Sequence, residues 1–332
     1  MGSKGKTALR FVVGTAVIAL VVSSAHAGDM PPALSGAELV RKAVQNEILA
    51  NNNSGSHFLF KNQRKTAQLW QTKLIIETSD ATAGIMVAQN GHPLTPEQQK
   101  AEQARLENYV RNPEELNKKR KLEMEDAEHT IRIMKALPDA FLYEADGTVQ
   151  GTAELGRPGD ELVRLKFHPN PNYNPPSRVE QVLTGMHGVV LIDARDNRLA
   201  EIDGTLAKEV GFGWGILGHL DRGGRFLVCQ ADVGNGQWEV TRMELSFTGK
   251  VLLFKKLDIR SNDTFSDFQP VPRDLTFAQG VDLLKKQVAA GQAAEGTRNS
   301  KPAEKSQGEA HNQGGKPSKE EAQAEEHVCC NR

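Results

Sequence analysis

Gly213-Trp214-Gly215-Ile216-Leu217-Gly218 has the spacing G-x-G-x-x-G. In a dinucleotide-binding fold such glycines open a helix N-terminus to a pyrophosphate. That chemistry needs a strand before the glycines and a helix after them. Here Asp221-Arg222-Gly223-Gly224 turns straight into another strand pattern, so the stretch reads as a bend whose missing side chains let Trp214, another ring or a ligand pack closely. Asp193, Asp196, Asn197 and Asp203 are the oxygen donors that calcium takes, but no glutamate falls at the offset a helical calcium loop requires, and they read as turn residues. His57, His92, His129, His168, His187 and His219 form no H-x-H or H-x-x-x-H pair, so only the fold itself could bring two together, as with His187 and His219. There is no G-x-S-x-G elbow, and the carboxylates are too scattered to nominate a catalytic pair. The expectation is a non-enzyme with no cofactor and no metal centre.

Three cysteines, Cys229, Cys329 and Cys330, are too few for a disulfide framework. Cys229 lies in a strand pattern and reads as a small buried hydrophobe, with a pairing to the tail as the alternative. The N-terminus sets the compartment. Lys4, Lys6 and Arg10 precede an apolar run from Phe11 to Val22 and the small-residue end Ala25-His26-Ala27, the layout of a signal peptide cut near Ala27. An exported, periplasmic protein follows. Without those three basic residues the mature chain carries a net charge of −4, which disfavours nucleic acid, whose phosphates demand a basic face. From Gly291 onward aromatic residues vanish and Gly, Gln, Glu, Lys and Ser dominate. Such a composition buries too little apolar surface to offset the entropy of ordering, so residues 291–332 are expected to form a disordered tail. Residues 28–290 remain for a single α+β domain.

Ser35 with Glu38 forms a capping box ahead of a helix carrying Leu39, Val40, Ala43, Val44 and Ile48 on one stripe. His57–Lys61 and Gln68–Thr78 read as a hairpin, and Gly84–Gln89 as a third strand closed by Asn90-Gly91. Thr95-Pro96 with Gln98, then Asn112-Pro113 with Glu115, start two helices, the second expected to stop at Leu137 before Pro138. Residues 95–137 are thus a charged helical insertion. Phe141–Ala145 and Glu161–His168 read as strands around a Gly-rich loop from Asp146 to Asp160. Pro169–Pro176 lacks too many donors to be a central strand, so it reads as a rigid connector or as a recognition loop presenting Tyr173.

From Met186 to Arg260 apolar and polar residues alternate between short turns, as in an antiparallel meander. Trp238 and Val240 share one parity while Met243, Leu245 and Phe247 share the other. A period of two cannot do that without a slip, which predicts a bulge near Thr241-Arg242. Leu252 and Phe254 make the next strand apolar on both faces, so both faces should be covered. Thr276 with Gln279 caps a last helix with Phe277, Val281, Leu284 and Val288 on one stripe.

Gln181-Val182-Leu183-Thr184-Gly185-Met186-His187-Gly188-Val189-Val190-Leu191-Ile192-Asp193, followed by Arg198-Leu199-Ala200-Glu201-Ile202-Asp203-Gly204, resembles the bacterial lipoprotein-localisation factor superfamily. Pro169–Arg178, Phe212–Arg225 and Trp238–Phe254 also resemble secreted bacterial proteins of similar layout. The resemblance implies a curved, mostly antiparallel sheet, an open half-barrel with helices on its concave side, able to hold an acyl chain. It implies a non-catalytic binding or carrier protein for a lipid, lipoprotein or other apolar ligand. Candidate lining residues are Trp70, Phe167, Trp214, Phe226, Trp238 and Phe254. The alternatives are an envelope structural or interaction protein that contacts partners or a membrane surface through the charged helix and tail, and an envelope hydrolase.

Overall fold

The computed structural model describes residues 34–53, 56–212, 218–251 and 255–299. The signal-peptide region, most of the expected tail, Trp214, Leu252, Phe254, Cys329 and Cys330 lie outside the described residues. In chain order come helix α1 (Gly36–Asn53), strands β1 (His57–Thr66), β2 (Trp70–Ile76), β3 (Ala83–Gln89) and β4 (His92–Pro93), and helices α2 (Pro96–Arg111) and α3 (Pro113–Ala140). Next are β5 (Phe141–Gln150), β6 (Glu161–Pro169), a short α4 (Arg178–Gln181) and a single 3-10 turn. The meander follows as β7 (Met186–Asp193), β8 (Leu199–Leu206), β9 (Val210–Phe212), β10 (Gly218–Leu220), β11 (Arg225–Asp232), β12 (Trp238–Val251) and β13 (Lys255–Val271), before α5 (Phe277–Asn299).

These strands make one open antiparallel sheet in the order β4-β3-β2-β1-β13-β12-β11-β8-β7-β6-β5, with β10 bridging β12 and β9. The α+β class and the curved, unclosed sheet are as expected. The meander does not stand at an edge. Its last strand, β13, pairs with the first strand, β1, so the N-terminal hairpins extend the sheet beyond it.

Helix starts follow the local chemistry. Glu38 accepts from the Ser35 backbone N–H at 2.9 Å, and Thr95 with Gln98 closes a complete capping box. α1 lays Val40, Ala43 and Val44 on Leu165, Phe167, Val190 and Ile192, joined by Leu137 and Phe141. α5 lays Phe277, Val281 and Leu284 on Leu59, Ile76 and Ile85, with Leu106 of α2. Each fully buried Leu or Phe contributes roughly 1.5–3 kcal/mol. A third cluster gathers Leu162, Leu191, Ala200 and Trp238.

Several boundaries differ from expectation; β1, for one, runs on to Thr66 rather than ending at Lys61. Pro138 lies inside α3, which runs on to Ala140. In a last turn proline forfeits only one backward hydrogen bond, and burial of Leu137, Pro138 and Ala140 holds the turn, while the Tyr143 hydroxyl donates to the Leu137 carbonyl at 2.8 Å. β5 continues through Asp146-Gly147 because a bulge with Gly147 at φ +85 absorbs them and Arg164 and Lys166 of β6 grip Asp146. β13 extends through the polar run to Val271, since both its edges are paired and Asn62 and Arg64 both donate to Oδ1 of the fully buried Asp263. α5 continues to Asn299, past Gly291, where the tail was expected to begin.

Candidate ligand cleft at two strand bulges

The bulge forecast at Thr241-Arg242 is present. Cys229 pairs with Arg242 and Gln230 with Val240, leaving Thr241 as the extra residue of β12. Its hydroxyl donates to the Glu154 carbonyl at 2.6 Å, so the loop between β5 and β6 is tied to the bulge. That loop is held elsewhere as well. Gly156 exchanges backbone bonds with Gln230 and Asp232, and the Arg157 guanidinium bonds Asp232 at 2.8 Å, Asp196 at 3.0 Å and Asp160 at 3.2 Å. Burial pushes the Asp232 carboxyl up, but the Gly234 N–H and Arg157 outweigh it and hold it below its usual range.

A second bulge lies on the neighbouring strand. Lys61 pairs with Ser266 and Leu59 with Gln269, so β13 carries one extra residue there, with Asp267 in the left-handed region at φ 59. Residues three apart in a regular strand point to opposite faces. The extra residue instead turns Phe265 and Phe268 onto the same ring: Phe268 stacks on Phe60 at 5.3 Å and Phe265 meets its edge at 6.1 Å. Phe58 meets Phe268 edge-on at 5.9 Å.

Between the bulges lies an open cleft of about 710 Å³, with Phe265, Phe268, Thr241, Arg242, Asn262 and Asp267 among its walls. Half-buried rings form one wall, and amide, hydroxyl, guanidinium and carboxylate groups surround them. Such a surface suits a ligand with an apolar face and a hydrogen-bonding edge. β-Bulges commonly re-aim side chains at binding sites.

The four described members of the expected lining, Trp70, Phe167, Phe226 and Trp238, are not gathered there. Phe167 is core, 4.5 Å from Phe141, and Phe226 packs against that same core. Trp238 belongs to the third cluster, beneath the Arg198 guanidinium at 5.5 Å. Trp70 is half-buried at the start of β2, with the Lys65 ammonium 4.4 Å from its ring. Trp214 and Phe254 lie outside the described residues. Sequence reading missed Phe265 and Phe268; the available signal was two aromatic residues inside the otherwise polar run Ser261–Gln269.

Other candidates resolve into structural roles. Asp193 is buried and accepts from the Arg195 and Asp196 backbone N–H groups, as a turn aspartate does. Of the glycine string only Gly218 is described, at the start of β10 opposite Phe212 of β9, and residues 213–217 lie outside the described residues. Cys229 is buried, and desolvation with the nearby Glu201 pushes its thiol up to about 12. Glu239 is pushed up to about 7, first by burial and then by Glu77 and Glu47, against the pull of Arg198. It does not line the cleft. Among the described residues one His-carboxylate set, Glu209, His219 and Asp221, gathers its ligand atoms closely.

A second cleft of about 540 Å³ lies between α3 and the 169–177 connector, walled by Ile131, Arg132, Lys135, Tyr173 and Glu180. The Tyr173 hydroxyl is buried there without a hydrogen-bond partner among the described residues. No family model, curated protein or solved structure matches this chain.

Proposed function

We propose that the chain is an exported, non-catalytic binding or carrier protein for a lipid, lipoprotein or other ligand with an apolar face, seated in the cleft between the two bulges. The observation that carries this reading is the pair of extra residues, Thr241 in β12 and the one at Asp267 in β13, which turn side chains of adjacent strands toward a single opening. Burial of an apolar face on Phe265 and Phe268 supplies about 25 cal/mol per Å². Arg242, Asn262 and Thr241 fix orientation.

A second reading, an envelope interaction protein, draws on α3. Leu122 and Met124 are exposed among its charges, and Tyr173, whose buried hydroxyl has no partner among the described residues, lines the neighbouring cleft. Hydrogen exchange of the mature protein, with and without an envelope lipid extract, separates the two. Protection confined to 262–268 and 151–156 supports the cleft; protection over 113–140 favours the helix; unchanged exchange throughout counts against lipid as the ligand.

A further inference from the structure

Strands β9 and β10 run antiparallel with His219 opposite Gly211. Side chains two apart on a strand share a face. His219 and Asp221 therefore project together, and continuing the register sets Glu209 across from Asp221. Their ligand atoms all lie within 4.8 Å of one another. His219 Nε2 is 3.3 Å from Asp221 Oδ1 and 4.0 Å from Glu209 Oε2.

We propose that Glu209, His219 and Asp221 form a zinc-class divalent cation site. Bonds of about 2.0–2.1 Å to a tetrahedral ion leave ligand atoms roughly 3.3–3.5 Å apart. The His219–Asp221 separation already has this value, and Glu209, with its side chain 63% exposed, has the freedom to close the remaining half ångström or so. The second Asp221 oxygen accepts from the Thr248 hydroxyl at 2.7 Å, and the Asp221 N–H donates to the Thr248 carbonyl at 2.9 Å. A ligating carboxylate is held this way by its outer partners.

Charge points the same way. Among the described residues, neither Glu209 nor Asp221 has a Lys or Arg within ion-pair distance, although Lys250 stands opposite His219 on β12. An imidazole with two carboxylates suits zinc or manganese better than the all-oxygen cages of calcium. Three protein ligands leave room for water or a further donor. The site is independent of the ligand cleft. It meets β12 at Gly249–Val251 and the cleft meets it at Thr241-Arg242, about 25 Å away along a strand at 3.3 Å per residue.

The test is isothermal titration of the full mature chain with zinc chloride after chelator dialysis. C329S and C330S are introduced so that the tail thiols do not compete. One equivalent is expected to bind in this background. H219A should remove it and E209Q should weaken it, while H168A leaves it intact. T248V should weaken zinc about 10–100-fold, as loss of an outer-shell partner does. Circular dichroism confirms that each variant is folded. Zinc uptake that is absent, or equal in the parent and in H219A, overturns the assignment.

Discussion

Thr241 Oγ1 donates to the Glu154 carbonyl at 2.6 Å, and so the unpaired residue of one strand holds the loop that overhangs the cleft. Thr241→Val keeps the shape and removes this bond. Such a bond contributes about 0.5–1.5 kcal/mol. The variant should fold with a slightly lowered Tm while amide exchange at 151–156 speeds up selectively. Acceleration spread evenly over the sheet would show that Thr241 does not act as this tie.

Glu47 and Arg198 carry a larger share of stability. The Arg198 guanidinium is bidentate on the Glu47 carboxylate at 2.7 and 2.8 Å, and the Leu199 N–H donates to the same group at 2.9 Å. Both side chains are largely buried, so Arg198→Ala leaves a charge without its partner, at a cost of about 3–5 kcal/mol. Thermal melting should register a drop on the order of 10 °C. Pairing it with Glu47→Leu should restore much of the loss; an additive double variant would contradict the coupling.

Glu239 ties stability to pH. Its folded pKa of about 7 stands above its ordinary 4.5, because burial and Glu77 disfavour the charged form. The folded state therefore holds this proton more tightly than the unfolded chain does. Its stabilising contribution is complete below about 4.5 and is lost as pH rises through about 7. Glu77, raised for the same reason, acts in the same direction. Glu239→Gln should flatten the Tm profile between those values and raise Tm by a few degrees at pH 8. A profile with unchanged slope would remove Glu239 as the cause.

The fold was more legible in the sequence than the site. Capping boxes at Ser35, Thr95 and Thr276 marked helix starts because they are local hydrogen-bond chemistry. The parity conflict between Val240 and Met243 revealed the Thr241 bulge for the same kind of reason. The β1–β13 pairing, about two hundred residues apart, left no periodic trace, and the polar run Ser261–Gln269 disguised a strand paired on both edges. Large aromatic residues such as Phe167 and Trp238 were natural ligand candidates by size, but size equally suits a core, and the structure buries both. Glu209 lies ten residues from His219, a spacing that matches no local metal motif, and only strand pairing joins them.

Phe265 and Phe268 are the residues on which ligand affinity should rest. Each is half-buried and outside the three apolar clusters, so polar replacement should cost the fold little. Loss of one ring contact should weaken an apolar-faced ligand by about 1 kcal/mol or more. Phe167→Ala should instead lower Tm by several degrees, because it opens a cavity in the main core. Equal effects of the two kinds of variant on Tm would erase the distinction drawn between cleft and core.

The most direct measurement is native mass spectrometry of the mature protein taken gently from an envelope fraction, beside an F265S/F268S variant, with organic extraction of whatever travels with each. The expected result is a stoichiometric adduct with an apolar moiety on the parent chain and its loss from a variant that keeps the parent's circular dichroism. A bare parent mass with no uptake of added envelope lipid, or equal loading of both chains, would contradict binding at the bulged cleft.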